Sequence, residues 1–76
     1  MFKEFIENDF YKNRKGDIVK VIYITDMEVL YPIEVQNIKT SSIYKVTESA
    51  EYNHLKPDEL DLVKHLPKNK HPELYL

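Results

Sequence analysis

The sequence predicts a mainly β domain opened by a helix, an α+β chain of about four to five antiparallel strands. Three observations lead there. Apolar residues in the first dozen positions recur at helical spacing. The run Ile18 to Thr25 is dense in β-branched and aromatic residues. Two further runs alternate in strand fashion and are separated by turn-forming Asp, Asn and Ser.

The helix is expected over residues 1–14. Phe2, Phe5, Ile6 and Phe10 stand on one helical face, while Lys3, Glu4, Glu7 and Asn8 fall largely on the other. Glu4 and Glu7 near the amino end, with Lys12, Arg14 and Lys15 near the carboxyl end, suit the helix dipole. Gly16 then serves as terminator. The pair Asn8-Asp9 opposes this pattern, because both side chains compete for backbone hydrogen bonds.

From Asp17 the period changes. Val19, Val21 and Tyr23 alternate with Ile18, Ile22 and Ile24, so both faces of this strand are apolar and both need cover. The helical stripe supplies the second cover in this reading. The next run, Val29 to Gln36, places Val29, Tyr31, Ile33 and Val35 on one face. Pro32 cannot donate to a ladder, which puts the strand at an edge or makes it bulge. A third run, Ser42 to Thr47, turns Tyr44 and Val46 to one side. Asp26-Met27-Glu28 and residues 37–41 supply the turns.

Beyond Thr47 the chain is polar until Pro57-Asp58-Glu59-Leu60-Asp61-Leu62-Val63-Lys64. Pro57 at a first helical position and the Leu60/Val63 spacing fit a short helix, while alternation of Leu60 and Leu62 fits a closing strand. A turn of helix followed by a strand accommodates both. Residues 1–66 thus form a single domain, and 67–76 a tail that either folds back or stays mobile.

Composition excludes several function classes. Among 76 residues there is one glycine, no cysteine and no tryptophan. Gly-rich phosphate cradles and dinucleotide fingerprints need several positions without a Cβ. Disulfides, thiolate zinc sites, iron–sulfur clusters and cysteine nucleophiles are removed together. Eleven basic against 13 acidic residues give a net charge of −2, which calls for no polyanion. The longest apolar stretch, Val21 to Ile24, is far below the roughly 20 residues of a membrane span. Met1-Phe2-Lys3-Glu4 lacks the basic-then-apolar order of a signal peptide, so the expected site of action is the cytoplasm. No cofactor is expected.

Lys15-Gly16-Asp17-Ile18-Val19-Lys20-Val21, Tyr31-Pro32-Ile33-Glu34-Val35 and Pro57-Asp58-Glu59-Leu60-Asp61-Leu62-Val63 together resemble small SH3-like β-barrel proteins, common among short reading frames of bacteriophages and mobile elements. The resemblance spans residues 15–64. It departs from the pattern in lacking a glycine in the second turn and in extending both ends. It implies a non-catalytic binding module, an accessory protein of a phage or mobile element, and transfers no catalytic residue; a structural or virion subunit is a separate alternative.

Candidate sites divide by chemistry. Six tyrosines cannot easily all be interior, because each buried hydroxyl must find a partner. Tyr23, Tyr31 and Tyr44 fall on core-facing strand positions. Tyr11, Tyr52 and Tyr75 fall in loops or the tail, where tyrosine supplies contact area at low entropic cost. Tyr11, Tyr31, Tyr52, Tyr75, Pro32 and Glu34 are therefore the candidates for a protein interface, with another protein or a second copy of the chain. Lys12, Arg14, Lys15 and Lys20, beside Tyr11, are the candidates for nucleic-acid contact, against a pI near 5.9 for the whole chain. Residues 26–51 carry five acids and two lysines, an outward charge that serves solubility or steers a basic partner. His54, His65 and His71 have no ligand spacing, and no enzyme constellation is legible.

Overall fold

Strand formation begins where the helix was expected to continue. The computed structural model describes residues 5–76, and residues 1–4 of the expected helix lie outside that range. Within it, Asn8 stands at φ 77, a left-handed conformation no α-helix tolerates. Phe10–Asn13 is strand β1. Glu7–Asn8 form a turn, and Ile6, placed on the apolar stripe by helical spacing, is exposed. Among the described residues there is no α-helix, only a 3-10 turn at Pro72–Tyr75. The physical reason is pairing: β1 has a hydrogen-bonded neighbour on each side, which a helix of this length could not replace.

Four more strands follow, Ile18–Ile24 (β2), Ile33–Asn37 (β3), Ile43–Val46 (β4) and Leu62–Leu66 (β5). They form one open antiparallel sheet in the order β4-β3-β2-β1-β5, a meander whose last strand returns to lie beside the first. Gly16 turns the β1–β2 hairpin at φ +101 and does not end a helix. Its amide donates to the Asn13 carbonyl at 2.9 Å, and the Asp17 amide donates to Asn13 Oδ1 at 2.8 Å.

The core comprises Tyr11, Val19, Val21, Ile33, Val35, Val46, Ala50 and Leu62, with Phe5, Ile24 and Tyr44 packed against it. A register shift between Val21 and Tyr23 breaks the alternation of β2. Ile24 is thereby turned toward the core and Tyr23 outward, the reverse of simple alternation. Ile18 and Ile22 stay half-buried without a helix over them.

β3 is an interior strand paired on both sides, not an edge. Pro32 immediately precedes it, where no ladder donor is needed, and its carbonyl accepts the Thr25 amide at 3.0 Å. Val29 and Leu30 lie in the preceding loop and are exposed. After a turn at Glu59–Leu60 the chain enters β5, so residues 62–66 are strand.

The tail folds back. Phe10 and Leu66 stand opposite each other on the outer face of the sheet, and both are buried. The Tyr75 ring meets Phe10 edge-on at 5.0 Å, and its hydroxyl donates to the Leu66 carbonyl at 2.7 Å while accepting the Phe10 amide at 3.2 Å. No helix among the described residues is long and apolar enough to cross a membrane.

Candidate protein-docking groove

The β2–β3 loop, residues 25–32, is an unusual loop in its chemistry. Met27 is 68 % exposed, Val29 47 % and Leu30 52 %, a run of apolar side chains turned to water. Local bonds hold this loop in place. The Met27 amide donates to Thr25 Oγ1, and the Val29 amide to the Met27 carbonyl. Tyr23, Met27, Val29, Leu30, Tyr31 and Pro32 line an open groove of about 550 Å³, with Glu34 and Lys45 on its floor from the outer sheet face.

A second loop, residues 47–61, lies beside this groove and lines the concavity next to it. The Thr47 hydroxyl accepts the Ser49 and Glu51 amides, which starts the loop in a fixed turn. Asp61 anchors its far end. One carboxylate oxygen accepts the Tyr52 amide at 2.8 Å; the other accepts the Asp58 amide at 3.0 Å and the Arg14 guanidinium at 3.2 Å. Burial alone pushes the Asp61 carboxyl pKa up, but these amides and the guanidinium outweigh it and hold the carboxyl below its ordinary range.

The two loops meet through one pair. The Tyr31 hydroxyl lies 3.0 Å from His54 Nδ1 and accepts the His54 amide at 3.3 Å. Around this clasp Tyr31, Tyr44, Lys45, Tyr52, His54 and Leu55 line a shallow extension of the groove, about 590 Å³ in volume. Leu55 is 80 % exposed. Tyr52 packs edge-on against Tyr44 at 5.5 Å, and the Tyr44 hydroxyl donates to the Leu60 carbonyl at 3.0 Å and accepts from Asn13 Nδ2 at 3.4 Å. Burial raises the Tyr44 phenol above its usual range, partly offset by the Asn13 bond.

Of the interface residues drawn from the sequence, Tyr31, Pro32, Glu34 and Tyr52 come together here. Tyr11 does not. It is 2 % exposed, packed between Phe5 at 5.1 Å and His65 at 4.7 Å, because β1 is a strand and this position faces the core. Burial, with Asp9 nearby, pushes its phenol up to about 12. Tyr75 is committed to Phe10 and Leu66; its phenol is also raised, by burial first. Sequence reasoning missed Tyr23, Met27, Val29, Leu30 and Leu55. The legible signal was three apolar residues within four positions of a turn, where no strand face claims them.

The basic candidates separate. Arg14 is tied to Asp61 and to the Asp58 carbonyl at 3.2 Å, and the Lys15 amide donates to the Glu59 carbonyl. Lys12 and Lys20 stand on the outer sheet face, Lys20 at 5.9 Å from the Phe10 ring centroid. Tyr11, on the opposite face of β1, offers no accessible ring for base stacking. Lys64, opposite Lys12 in register, joins the outer-face pair.

The histidines take separate partners: His54 with Tyr31, His65 with Asp9 at 3.1 Å, and His71 near Glu73 at 3.9 Å. No group of three or more His, Asp or Glu able to hold a metal gathers among the described residues. No protein-family model, no curated protein and no solved structure matches the chain.

Proposed function

We propose that the chain is a non-catalytic protein-binding module that docks its partner in the groove between the 25–32 and 47–61 loops. One observation carries this reading: exposed Tyr23, Met27, Val29 and Leu30 line one concavity, exposed Tyr52 and Leu55 line a second, and the two share Tyr31 and Lys45. Exposed apolar surface rimmed by polar groups costs solubility and stability unless something covers it. Tyrosines there offer rigid contact area with a polar tip, as interface anchors do.

The scaffold reading is a small SH3-like barrel. Strand order supports it, with β5 returning to β1, and so does the approach of the two sheet edges. The Leu62 amide donates to the Ala50 carbonyl at 2.9 Å just beyond β4, and Tyr44 of β4 reaches Leu60. The setting that travels with the resemblance is a phage or mobile-element accessory protein acting in the host cytoplasm.

The test is affinity capture from a bacterial lysate with the wild-type chain and the Leu30→Ser/Leu55→Ser variant. Both side chains are exposed, so the variant folds. A partner held by wild type and lost by the variant supports the reading; a partner held equally by both removes the groove from it.

A second reading, nucleic-acid binding, has one observation in its favour. Lys12 and Lys64 are directly opposite across β1 and β5, with Lys20 on the same face, and none has an acidic partner within 4.0 Å among the described residues. Like charges placed so destabilise a sheet unless an anion neutralises them. Anisotropy with single- and double-stranded oligonucleotides at low salt, repeated with these three lysines replaced by alanine, decides it.

A further inference from the structure

Resting on the groove as a docking surface, we propose that the partner enters it with a cationic, apolar segment. Val29 and Leu30 are a shared wall. On one side lies the tyrosine-lined groove; on the other a concavity of about 420 Å³ is bounded by Glu28, Glu48, Glu51 and His54. The three carboxylates are distant in sequence. Glu28 comes from the β2–β3 loop, Glu48 and Glu51 from the turn after β4, and the fold sets them around one pair of exposed aliphatic side chains.

Their charge is not answered within the chain. Among the described residues none of the three has a cation within 4.0 Å, and no donor bonds their side-chain oxygens. His54 is the basic group on this rim, and its ring is engaged by Tyr31. On the far side of the wall Glu34 is the single carboxylate, and Lys45 stands opposite it in register. Three acids without a lysine or arginine thus line one flank of Val29–Leu30, and one acid with one lysine lines the other. Three unpaired carboxylates repel one another and attract cations into a partly desolvating concavity. A segment that places an aliphatic side chain on Val29–Leu30 and Lys or Arg on that flank covers the apolar surface and neutralises the acids together. An acidic or neutral segment of the same shape does only the first.

The experiment uses three synthetic fluorescein-labelled peptides with the same leucines and with Lys, Gln or Glu at the intervening positions, titrated by anisotropy into the full chain. At low salt the Lys peptide binds about tenfold tighter than the Gln peptide, the sum of three exposed ion pairs, and the Glu peptide binds weakest. Raising the salt narrows the gap. Glu28→Gln/Glu48→Gln/Glu51→Gln removes the Lys advantage and leaves Gln-peptide binding in place, while Glu59→Gln/Glu73→Gln, exposed acids elsewhere, preserves the advantage. Equal binding of the Lys and Gln peptides, a Lys advantage that survives the triple variant, or no binding by any peptide overturns the proposal. The docking reading fails separately: a Gln peptide that binds Leu30→Ser/Leu55→Ser as tightly as wild type is not using the groove.

Discussion

The hydroxyl of Tyr31 sits 3.0 Å from the Nδ1 of His54, 23 residues further along the chain, and joins the 25–32 and 47–61 loops. Tyr31 lines both concavities and His54 lines the second, so the pair ties the 47–61 loop to the wall of the groove. Both groups are partly solvated, so the bond itself contributes little to global stability. Tyr31→Phe is expected to lower stability by less than about 1 kcal/mol while raising amide hydrogen exchange at residues 52–56. Unchanged exchange in that segment contradicts the clasp.

Asp61 is the deeper anchor. Asp61→Ala leaves the amides of Tyr52 and Asp58 without acceptors and is expected to cost about 2–4 kcal/mol by denaturant titration. Its carboxyl ionises below the ordinary range when folded. Its stabilisation is therefore complete above the unfolded value of about 4 and is lost as pH falls through the lower folded value. Wild type should lose stability on acidification below about pH 4, and Asp61→Asn should show a flatter acid limb.

Tyr11 gives the opposite sign at the alkaline end. Its folded phenol lies near 12 against an ordinary 10, so the neutral core ring contributes stability that is present below pH 10. That contribution falls as pH rises through 10 toward 12. Tyr11→Phe should flatten the alkaline limb of a stability–pH profile; a limb identical to wild type places the ring outside the core.

The tail is part of the fold. Removing residues 72–76 uncovers Phe10 and Leu66 and strips Tyr75 from both backbones. At about 25 cal/mol per Å² the loss should reach about 2–4 kcal/mol, read as a lower melting temperature. A truncated chain that melts with wild type shows the tail to be dispensable.

Gly16 tests the hairpin. A Cβ there meets nothing within 4 Å, so Gly16→Ala costs only backbone strain at φ +101, about 1 kcal/mol. A larger loss points to a role beyond the turn.

Much of the sheet was legible in local chemistry. β-branched density marked β2, residues 37–41 marked the turn between β3 and β4, and Tyr44 with Val46 marked the inward side of β4. Phe10 misled as the end of a helical stripe and Tyr11 as a loop residue, because both are buried strand positions, one under the tail and one in the core. A strand covered on both faces shows no alternation, and its apolar residues then imitate helical spacing. The bulge at Ile22 has no local signal, so the exchange of Tyr23 and Ile24 between faces depends on β3. For the groove, Tyr31, Pro32, Glu34 and Tyr52 were found as tyrosines and strand neighbours. Val29 and Leu30 were assigned to a strand by their alternation with Tyr31, Met27 to a turn and Leu55 to a polar stretch. Local bonds and the Tyr31–His54 contact instead hold Val29 and Leu30 in an open loop.

Amide chemical-shift mapping tests the central claim most directly. The ¹⁵N-labelled full chain is titrated with the captured partner. Shifts concentrated at Tyr23, residues 27–31 and residues 52–55 are the predicted result; shifts concentrated at Lys12, Lys20 and Lys64, with the groove unmoved, contradict it.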